Sequence, residues 1–134
     1  MIILLTFGSA LWAQPGNAKG RAATFADEGR AAMLRKEYAS AADHFRNARQ
    51  SDPRNMTYLV EEAKAWFFAE DYDEVIDILQ GPMRRKKGKW EAKLTAYRLY
   101  GGAFDMQEKY NAARKIFRKG LREYPRSGEL YLDL

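Results

Sequence analysis

The sequence predicts an all-α fold, a solenoid of stacked helical hairpins, on three observations. Tyr38 and Tyr72 lie 34 residues apart, and the residues around them recur at the same offset. Within each copy, apolar residues return every three or four positions, which lays an apolar stripe along one helix face. Pro53 and Pro125 follow predicted helices and stop them. A hairpin of this length cannot bury its apolar face alone, so the copies are expected to stack.

A third copy aligns with the first two when it is shifted by four further residues. The equivalent positions, taken copy by copy, are Gly29, Ala63 and Gly101, then Ala41, Val75 and Ala113, then Phe45, Leu79 and Phe117. The small residues are expected to let paired helices approach closely, while the large side chains fill the space between them. Enlarging one of them should therefore overpack a hairpin.

The repeats divide the chain into successive helices. Copy one (22–55) is predicted to hold helices Arg21–Arg35 and Tyr38–Ser51, copy two (56–82) helices Thr57–Ala69 and Asp73–Gln80, and copy three (94–127) helices Trp90–Asp105 and Tyr110–Glu123. The second helix of copy two is expected to stop early, at Gly81 and Pro82. The repeat domain spans 21–134, and residues 14–20 are predicted to be a polar linker before it.

A partial fourth copy is predicted at 128–134, where the first helix of another hairpin begins. Leu130, Tyr131, Leu132 and Leu134 make this segment apolar. A terminal repeat normally presents a polar outer face, and this one does not. The sequence leaves three alternatives open: a truncated chain, a short cap on the last hairpin, or a segment that seeks a second molecule.

This pattern resembles the tetratricopeptide repeat family, in which Gly or Ala, a large residue, Tyr, Ala, an aromatic residue and Pro follow at fixed intervals. Copy one supplies Phe25, Gly29, Ala32, Tyr38, Ala41, Phe45, Ala48 and Pro53; copy two supplies Leu59, Ala63, Trp66, Tyr72, Val75 and Leu79; copy three supplies Tyr97, Tyr100, Gly101, Phe104, Tyr110, Ala113, Phe117, Gly120 and Pro125. The resemblance covers residues 22 to about 127. It implies a right-handed superhelix of α-α hairpins that acts as a scaffold and binds another protein.

In this family the first helix of each hairpin lines a concave groove where partners bind. The positions carried over to this chain are Arg30 and Met33 in copy one, Val60, Glu61, Lys64, Phe67 and Phe68 in copy two, and Arg98, Leu99 and Asp105 in copy three. Such a groove suits a peptide or helix with aliphatic anchors. For Phe67 and Phe68 the alternative is packing between hairpins. The family's clamp for C-terminal carboxylates is not expected, because Ala26 and Thr95 lack the Lys, Asn or Arg side chains that it needs.

Residues 81–89 form a basic linker between copies two and three. Its positive residues are Arg84, Arg85, Lys86, Lys87 and Lys89, five charges that equal the formal net charge of +5. This run could bind an anionic membrane surface or an acidic protein. Nucleic acid is not expected, since the segment lacks interleaved aromatic residues and export is predicted. The plainer alternative is a solvated loop that carries the four-residue insertion.

The first thirteen residues differ from the rest of the chain. Met1–Ala13 has no charged residue and is dominated by Ile, Leu, Phe and Trp. It looks like a signal peptide at 1–13 and is shorter than the about 20 residues that span a bilayer. Export to the periplasm or cell envelope of a bacterium follows. No basic residue follows Met1, which suggests an upstream start, and Leu11 stands where a small residue is usual. The alternative is an apolar helix packed on the first repeat.

No group of residues predicts catalysis. The 134 residues, 46% of them hydrophobic, suffice for one domain with a continuous core, and there is no Cys. His44 is the only histidine, so no histidine dyad or metal pair exists, and it is predicted to lie on the surface. Neither enzyme activity nor a cofactor is expected. The sequence thus predicts an exported protein-binding scaffold. The alternative is self-assembly or envelope attachment through the basic run at 84–89 and the exposed last helix.

Overall fold

The structure, a computed structural model, describes residues 15–134. Within this range there are seven α-helices and no strand: α1 (Pro15–Leu34), α2 (Tyr38–Ser51), α3 (Met56–Phe68), α4 (Tyr72–Arg85), α5 (Lys93–Met106), α6 (Tyr110–Glu123) and α7 (Gly128–Asp133). Each helix packs against the next along the chain, in the hairpins α1–α2, α3–α4 and α5–α6. The predicted all-α solenoid of hairpins is therefore confirmed. The predicted signal peptide, Met1–Ala13, lies outside the described residues.

The turn inside each hairpin repeats along the chain. Lys36, Glu70 and Glu108 occupy equivalent positions, and all three have a left-handed backbone with φ of 60° to 61°. Each is followed by a residue whose backbone N–H bonds back to the first helix, as from Glu37 to Ala32 at 3.0 Å and from Asp71 to Trp66 at 3.0 Å. This is the helix-ending motif that usually carries Gly at the left-handed position. The 34-residue period is thus present in the backbone as well as in the side chains.

The core consists of two clusters that meet at α3. The first lies between α1, α2 and the near side of α3 and is built mostly from alanines around the buried ring of Phe45. The second continues from α3 to α7 around Leu79, Tyr97 and Phe117. Trp66 on α3 packs against both clusters. Small side chains in the first hairpin allow its helices to lie close together, whereas larger ones fill the C-terminal hairpins.

The described helices depart from the predicted bounds by more than one residue in three places. Helix α1 begins at Pro15, so the predicted linker 14–20 is helical from its second residue onward; proline suits the first helical position because its missing N–H is not needed there. Helix α4 does not stop at Gly81 and Pro82 but runs on to Arg85. Helix α5 begins at Lys93, three residues later than predicted.

Helix α4 tolerates its internal proline for two reasons. Gly81 has no Cβ to collide with the ring of Pro82, which removes part of the usual conflict before proline. The turn after the proline carries Met83, which is buried in the core. The backbone N–H of Lys86 then bonds to the carbonyl of Pro82 at 2.9 Å and closes the helix. Burial of one apolar side chain thus favours the helix beyond the point where its sequence indicates a break.

Candidate partner-binding cleft

A cleft of about 660 Å³ lies between α3, α5 and α7. Its walls are Lys64, Phe67 and Phe68 from α3, Thr95, Arg98, Leu99, Gly102 and Asp105 from α5, Phe117 from α6, and Glu129, Leu132 and Asp133 from α7. The α5 residues recur at three- and four-residue intervals, so they occupy one face of that helix. The cleft is the largest of the concavities described on the protein's surface. We call it the partner cleft.

Six of the ten residues predicted for a groove line this cleft: Lys64, Phe67, Phe68, Arg98, Leu99 and Asp105. Arg30 and Met33 lie on α1, and Glu61 on α3, outside its walls. The prediction fails for Val60, which is only 4% exposed and belongs to the hydrophobic core. Its position on α3 faces α4 and α5, so its side chain offers no contact surface to a partner.

The two neighbouring phenylalanines have different roles. Phe67 lies against Gly102, where a Cβ atom would be 3.2 Å from its ring, and it meets the edge of Tyr72 at 5.3 Å. It forms part of the packing between the second and third hairpins. Phe68 is 50% exposed and stacks on Tyr38 with ring centroids 5.4 Å apart. Most of the Phe67 side chain is thus used in packing between hairpins, whereas Phe68 presents an open aromatic face at the rim of the cleft.

Arg98 joins the two walls of the cleft. Its Nε donates to Asp133 Oδ2 at 2.6 Å, and its guanidinium also reaches Glu129 Oε2 at 3.2 Å. The hydrogen bond to Asp133 is the largest cause that raises the pKa of Arg98 above its ordinary value. Because both acids belong to α7, this guanidinium fixes the short last helix against α5. Its charge is therefore largely neutralised within the protein.

The remaining charges of the cleft have no partner of opposite sign. Lys64 and Asp105 are both exposed, and neither forms an ion pair with another described residue. They belong to different helices, α3 and α5, on facing walls. A ligand in the cleft would therefore meet one available cation, one available anion and the apolar surface of Phe68, Leu99 and Leu132.

Sequence inspection alone missed the contribution of α7. Glu129, Leu132 and Asp133 form a wall of the cleft, and Leu132 is 89% exposed. Helix α7 is held by Leu130, which is fully buried and packs on Gly120 of α6. A Cβ added to that glycine would lie 3.0 Å from the Leu130 side chain. The apolar pattern of the segment signalled a helix. Its role as a wall could be found only by knowing that Leu130 points toward α6.

The basic run is partly helical. Arg84 and Arg85 form the last turn of α4, which corrects the prediction of a loop at these residues, while Lys86, Lys87 and Lys89 lie in the connection to α5. All five side chains are exposed. The connection is anchored, since buried Lys93 donates from Nζ to the carbonyl of Gly88 at 2.6 Å, and Lys89 Nζ lies 5.0 Å from the ring centroid of Tyr124.

His44 lies at a partly exposed position on α2, with Nδ1 3.1 Å from Glu28 Oε2. Across residues 15–134, no group of three His, Cys, Asp or Glu side chains is placed to hold a metal ion. In the same range, no helix has the length and apolar character to cross a membrane.

Comparison with known proteins shows the fold. No protein-family model matches the sequence. Among solved structures, the chain is similar to the TPR domain of Arabidopsis OM64, with a TM-score of 0.74, 19% identity, and coverage of 87% of this chain and 93% of that one. It is also similar to the N-terminal domain of stress-induced protein-1 (STI-1) from C. elegans, with a TM-score of 0.73, 24% identity, and coverage of 86% and 92%.

A third similar structure contains a ligand. It is the first TPR of Spaghetti (RPAP3) bound to the HSP90 peptide SRMEEVD, with a TM-score of 0.73, 19% identity, and coverage of 87% of this chain and 89% of that one. At these identities the likeness shows the tetratricopeptide-like arrangement of helices, and it extends over nearly the whole length of each domain.

Proposed function

We propose that this protein is an exported scaffold that binds a peptide or helix of another protein in the partner cleft. The observation that carries the proposal is the composition of the cleft: an exposed aromatic ring at Phe68 and aliphatic side chains at Leu99 and Leu132, beside unpaired charges at Lys64 and Asp105. Apolar anchors flanked by a few oriented charges are what short peptide segments bind in grooves.

The similar domain that carries an HSP90 peptide supports the choice of a peptide as the ligand, because its helices have the same arrangement. The residues of this chain favour a different peptide chemistry. Thr95 stands in the cleft where a clamp for a C-terminal carboxylate would need a longer polar side chain, and Arg98 is already bound by Asp133. We therefore expect a segment with aliphatic or aromatic anchors and both signs of charge, without a requirement for a free C-terminus.

The test uses random peptides displayed on phage and selected on the immobilised full chain. Selected sequences are then synthesised with a fluorophore, and their binding is measured by fluorescence polarisation to the wild-type chain and to Phe68→Ala. We expect the variant to bind at least about tenfold more weakly, since a buried aromatic contact contributes roughly 1–3 kcal/mol. Leu34→Ala is the matched control, because Leu34 is 87% exposed and lies outside the cleft.

The result that supports the proposal is weaker binding by Phe68→Ala together with unchanged binding by Leu34→Ala. Equal affinity of all three chains would overturn it, as would selected peptides that bind only through the basic run. The sequences of the binders add a second check, because a common requirement for a free C-terminal carboxylate would contradict the expected chemistry. Thermal melting of both variants confirms that the fold is retained.

Export rests on the uncharged apolar segment Met1–Ala13. We propose that it directs the chain to the periplasm or cell envelope of a bacterium and is removed near Ala13. Expression in a bacterial host, cell fractionation and N-terminal sequencing test this. A chain found in the periplasmic or envelope fraction that begins close to Gln14 is expected. A cytoplasmic chain that still carries Met1 would overturn the proposal, in favour of an apolar segment that belongs to the folded protein.

The exposed apolar side of α7 favours a second candidate function, self-assembly. Tyr131, Leu132 and Leu134 are 60%, 89% and 49% exposed, on a helix of only six residues. Another copy could cover them, since a contiguous patch of exposed apolar side chains is typical of an interaction site. Size-exclusion chromatography with light scattering decides between the two. A concentration-dependent dimer that Leu132→Ser abolishes supports self-assembly, whereas a monomer at all concentrations rules it out. Attachment to the envelope by the basic run is the other form of this candidate.

A further inference from the structure

The charge of the chain is strongly segregated along its sequence. Between Arg84 and Arg126 there are fourteen Lys and Arg residues against four Asp and Glu, whereas the rest of the chain has nine against fourteen. The formal net charge of +5 therefore conceals a C-terminal part that is far more basic. The basic run at 84–89 holds only five of those fourteen cations, so the larger share lies elsewhere.

Helix α6 carries the next group of these cations. Arg114, Lys115, Arg118, Lys119 and Arg122 are all exposed, and none of them forms an ion pair with an acid in residues 15–134. They fall in rows four residues apart, which places successive charges about 6 Å from one another along the helix. We call these five residues together with Arg84 the basic face.

A cleft of about 190 Å³ connects the basic face to α4. It brings Arg84 of α4 together with Lys115 and Lys119 of α6, although the two helices are separated in sequence by the whole of α5. The other lining residues are Gln80, Met83, Tyr97, Tyr100 and Ile116, so no carboxylate is among them. Three like charges around one concavity repel one another, and an anion placed among them would relieve that repulsion.

Tyr100 adds a neutral donor to this cleft. Its burial raises the pKa of the phenol, an effect that the charge of Arg84 partly opposes. The hydroxyl therefore remains protonated at neutral pH and can donate a hydrogen bond. Three cations with a phenolic O–H around a small cavity match the needs of a phosphate group, which accepts several hydrogen bonds and carries negative charge.

We propose that the basic face binds the phosphate headgroups of an anionic membrane surface, with one headgroup held between Arg84, Lys115 and Lys119. The basic run at 84–89 is then the edge of a larger docking surface. This inference does not depend on peptide binding, because the partner cleft uses Arg98 and Leu99 on another side of α5 and shares no residue with the small cleft. Both surfaces can be occupied together.

Two observations favour a lipid surface over other polyanions. Tyr97 is only 1% exposed, and Tyr100 and Phe104 are partly buried, so the rings near the face offer little surface on which nucleic acid bases could stack. The exposed cations of the face occur without exposed acids between them on α6. A surface that carries only positive charge is attracted to the dense negative charge of anionic headgroups. Protein interfaces, in contrast, use charges of both signs to fix the orientation of the partners.

The experiment is co-sedimentation of the full chain with vesicles, either of phosphatidylcholine alone or with about 30% phosphatidylglycerol, a fraction chosen to give a strongly negative surface. The neutral vesicles measure any insertion of the apolar segment Met1–Ala13. The test variant is Arg84→Gln with Lys115→Gln and Lys119→Gln. The matched control is Lys19→Gln with Lys36→Gln and Arg54→Gln, which removes the same charge from exposed positions between α1 and the start of α3.

We expect binding to anionic vesicles that falls with added salt and is at least tenfold stronger than binding to neutral ones. The test variant should lose affinity on the order of 100-fold, since each cation near an anionic surface contributes roughly fivefold. The control should also lose some affinity, but the logarithm of its loss should be less than a third of that of the test variant, because its positions lie outside the face. Thermal melting before sedimentation establishes that both variants are folded.

Three results would overturn the proposal. Equal losses in the two variants would mean that only overall charge matters. Equal binding to neutral and anionic vesicles would assign the interaction to the apolar N-terminal segment. Tighter binding to duplex DNA or to a polyglutamate peptide than to anionic vesicles, at the same salt concentration, would assign the face to a different partner. Failure of peptide capture by the partner cleft would leave this inference untouched, since the two sets of variants have no residue in common.

Discussion

The ring of Phe117 packs directly on the backbone of Gly101, so that a Cβ added to the glycine would lie 2.4 Å from Phe117 Cε1. The first hairpin repeats this relationship, with the ring of Phe45 2.9 Å from the equivalent Cβ position on Gly29. In each hairpin a glycine on the first helix leaves room for an aromatic ring from the second helix. The distance between the two helices is thus set by the absence of one methyl group.

The substitution Gly101→Ala should therefore destabilise the protein. Replacing glycine by alanine in a helix interior usually stabilises a protein by about 0.5–1 kcal/mol, but here the added methyl group must displace a buried ring. We expect a net loss of roughly 1–3 kcal/mol in the free energy of unfolding, measured by urea denaturation. Gly20→Ala is the control, because it lies within α1 with no atom close to its Cβ position, and it should be neutral or stabilising. A stabilised Gly101→Ala chain would contradict the packing described.

Glu62 should be essential for the contact between the first two hairpins. It is fully buried, and it accepts from Arg49 Nε at 2.6 Å and from Arg46 Nε at 3.3 Å across the α2–α3 interface. Glu62→Ala leaves Arg49 without an acidic partner and Arg46 with Asp43 alone. Loss of one member of a buried pair costs about 3–5 kcal/mol, less here because the arginines remain partly exposed. Thermal melting should show a clearly lower midpoint.

Glu61→Ala is the matched control for that experiment. It removes the neighbouring carboxylate, which is only partly buried and forms no ion pair with a described residue. Surface substitutions of this kind usually change stability by less than about 0.5 kcal/mol. If the two variants melted alike, the buried network would not contribute to the coupling of the repeats.

Glu123 should make part of the stability pH-dependent. Its partial burial acts to raise the pKa of the carboxyl, but hydrogen bonds from Lys93 and Tyr97 outweigh that effect and hold the pKa below its ordinary value. The resulting stability is fully present above the unfolded pKa and is lost as the pH falls through the folded pKa. The wild-type chain should thus have a higher unfolding free energy than Glu123→Gln. This difference should be constant near neutral pH and shrink below about pH 4.

Denaturation at several pH values checks this. The expected pattern is convergence of the two chains in acid, with Tyr97→Phe losing part of the same advantage, since the Tyr97 hydroxyl donates to Glu123 Oε1 at 2.8 Å. A constant difference between wild type and Glu123→Gln from neutral to acidic pH would contradict an ionised Glu123 in this network.

The two adjacent phenylalanines should respond differently to truncation. Phe67→Ala removes a ring packed between Gly102 and Tyr72, and we expect a loss of about 3 kcal/mol. Phe68→Ala removes a half-exposed ring whose main contact is stacking on Tyr38, so the loss should be about 1 kcal/mol. Chemical denaturation of both variants tests this. Equal losses would place Phe68 in the core and remove the reason to assign it to partner binding.

Much of the fold could be predicted because it is repetitive. Gly29 and Phe45 recur at one offset as Gly101 and Phe117, and a pattern of small and large residues at helical spacing has few solutions other than paired helices. Helices α2 and α6 begin and end at the predicted residues. The repeat pattern predicted only part of the partner cleft. It identified the walls formed by α3 and α5, but not the wall formed by α7.

Other features depend on contacts between distant parts of the chain. Helix α4 passes Pro82 because Met83 is buried against residues that the local sequence does not contain. Val60 was predicted in the groove, but the rotation of α3 against α4 and α5 turns it into the core. The small basic cleft joins Arg84 to Lys115, which are far apart along the chain, so a local run of charges could reveal only one side of it.

The sequence by itself determined which segments become helices, how they pair and where each hairpin turns, because period and side-chain size act locally and repeat. Only the tertiary structure decided which side chains of those helices remain open to a ligand. That outcome depends on the rotation of each helix against its neighbours, and a rotation of one residue position, as between Phe67 and Phe68, exchanges a core residue for a surface one.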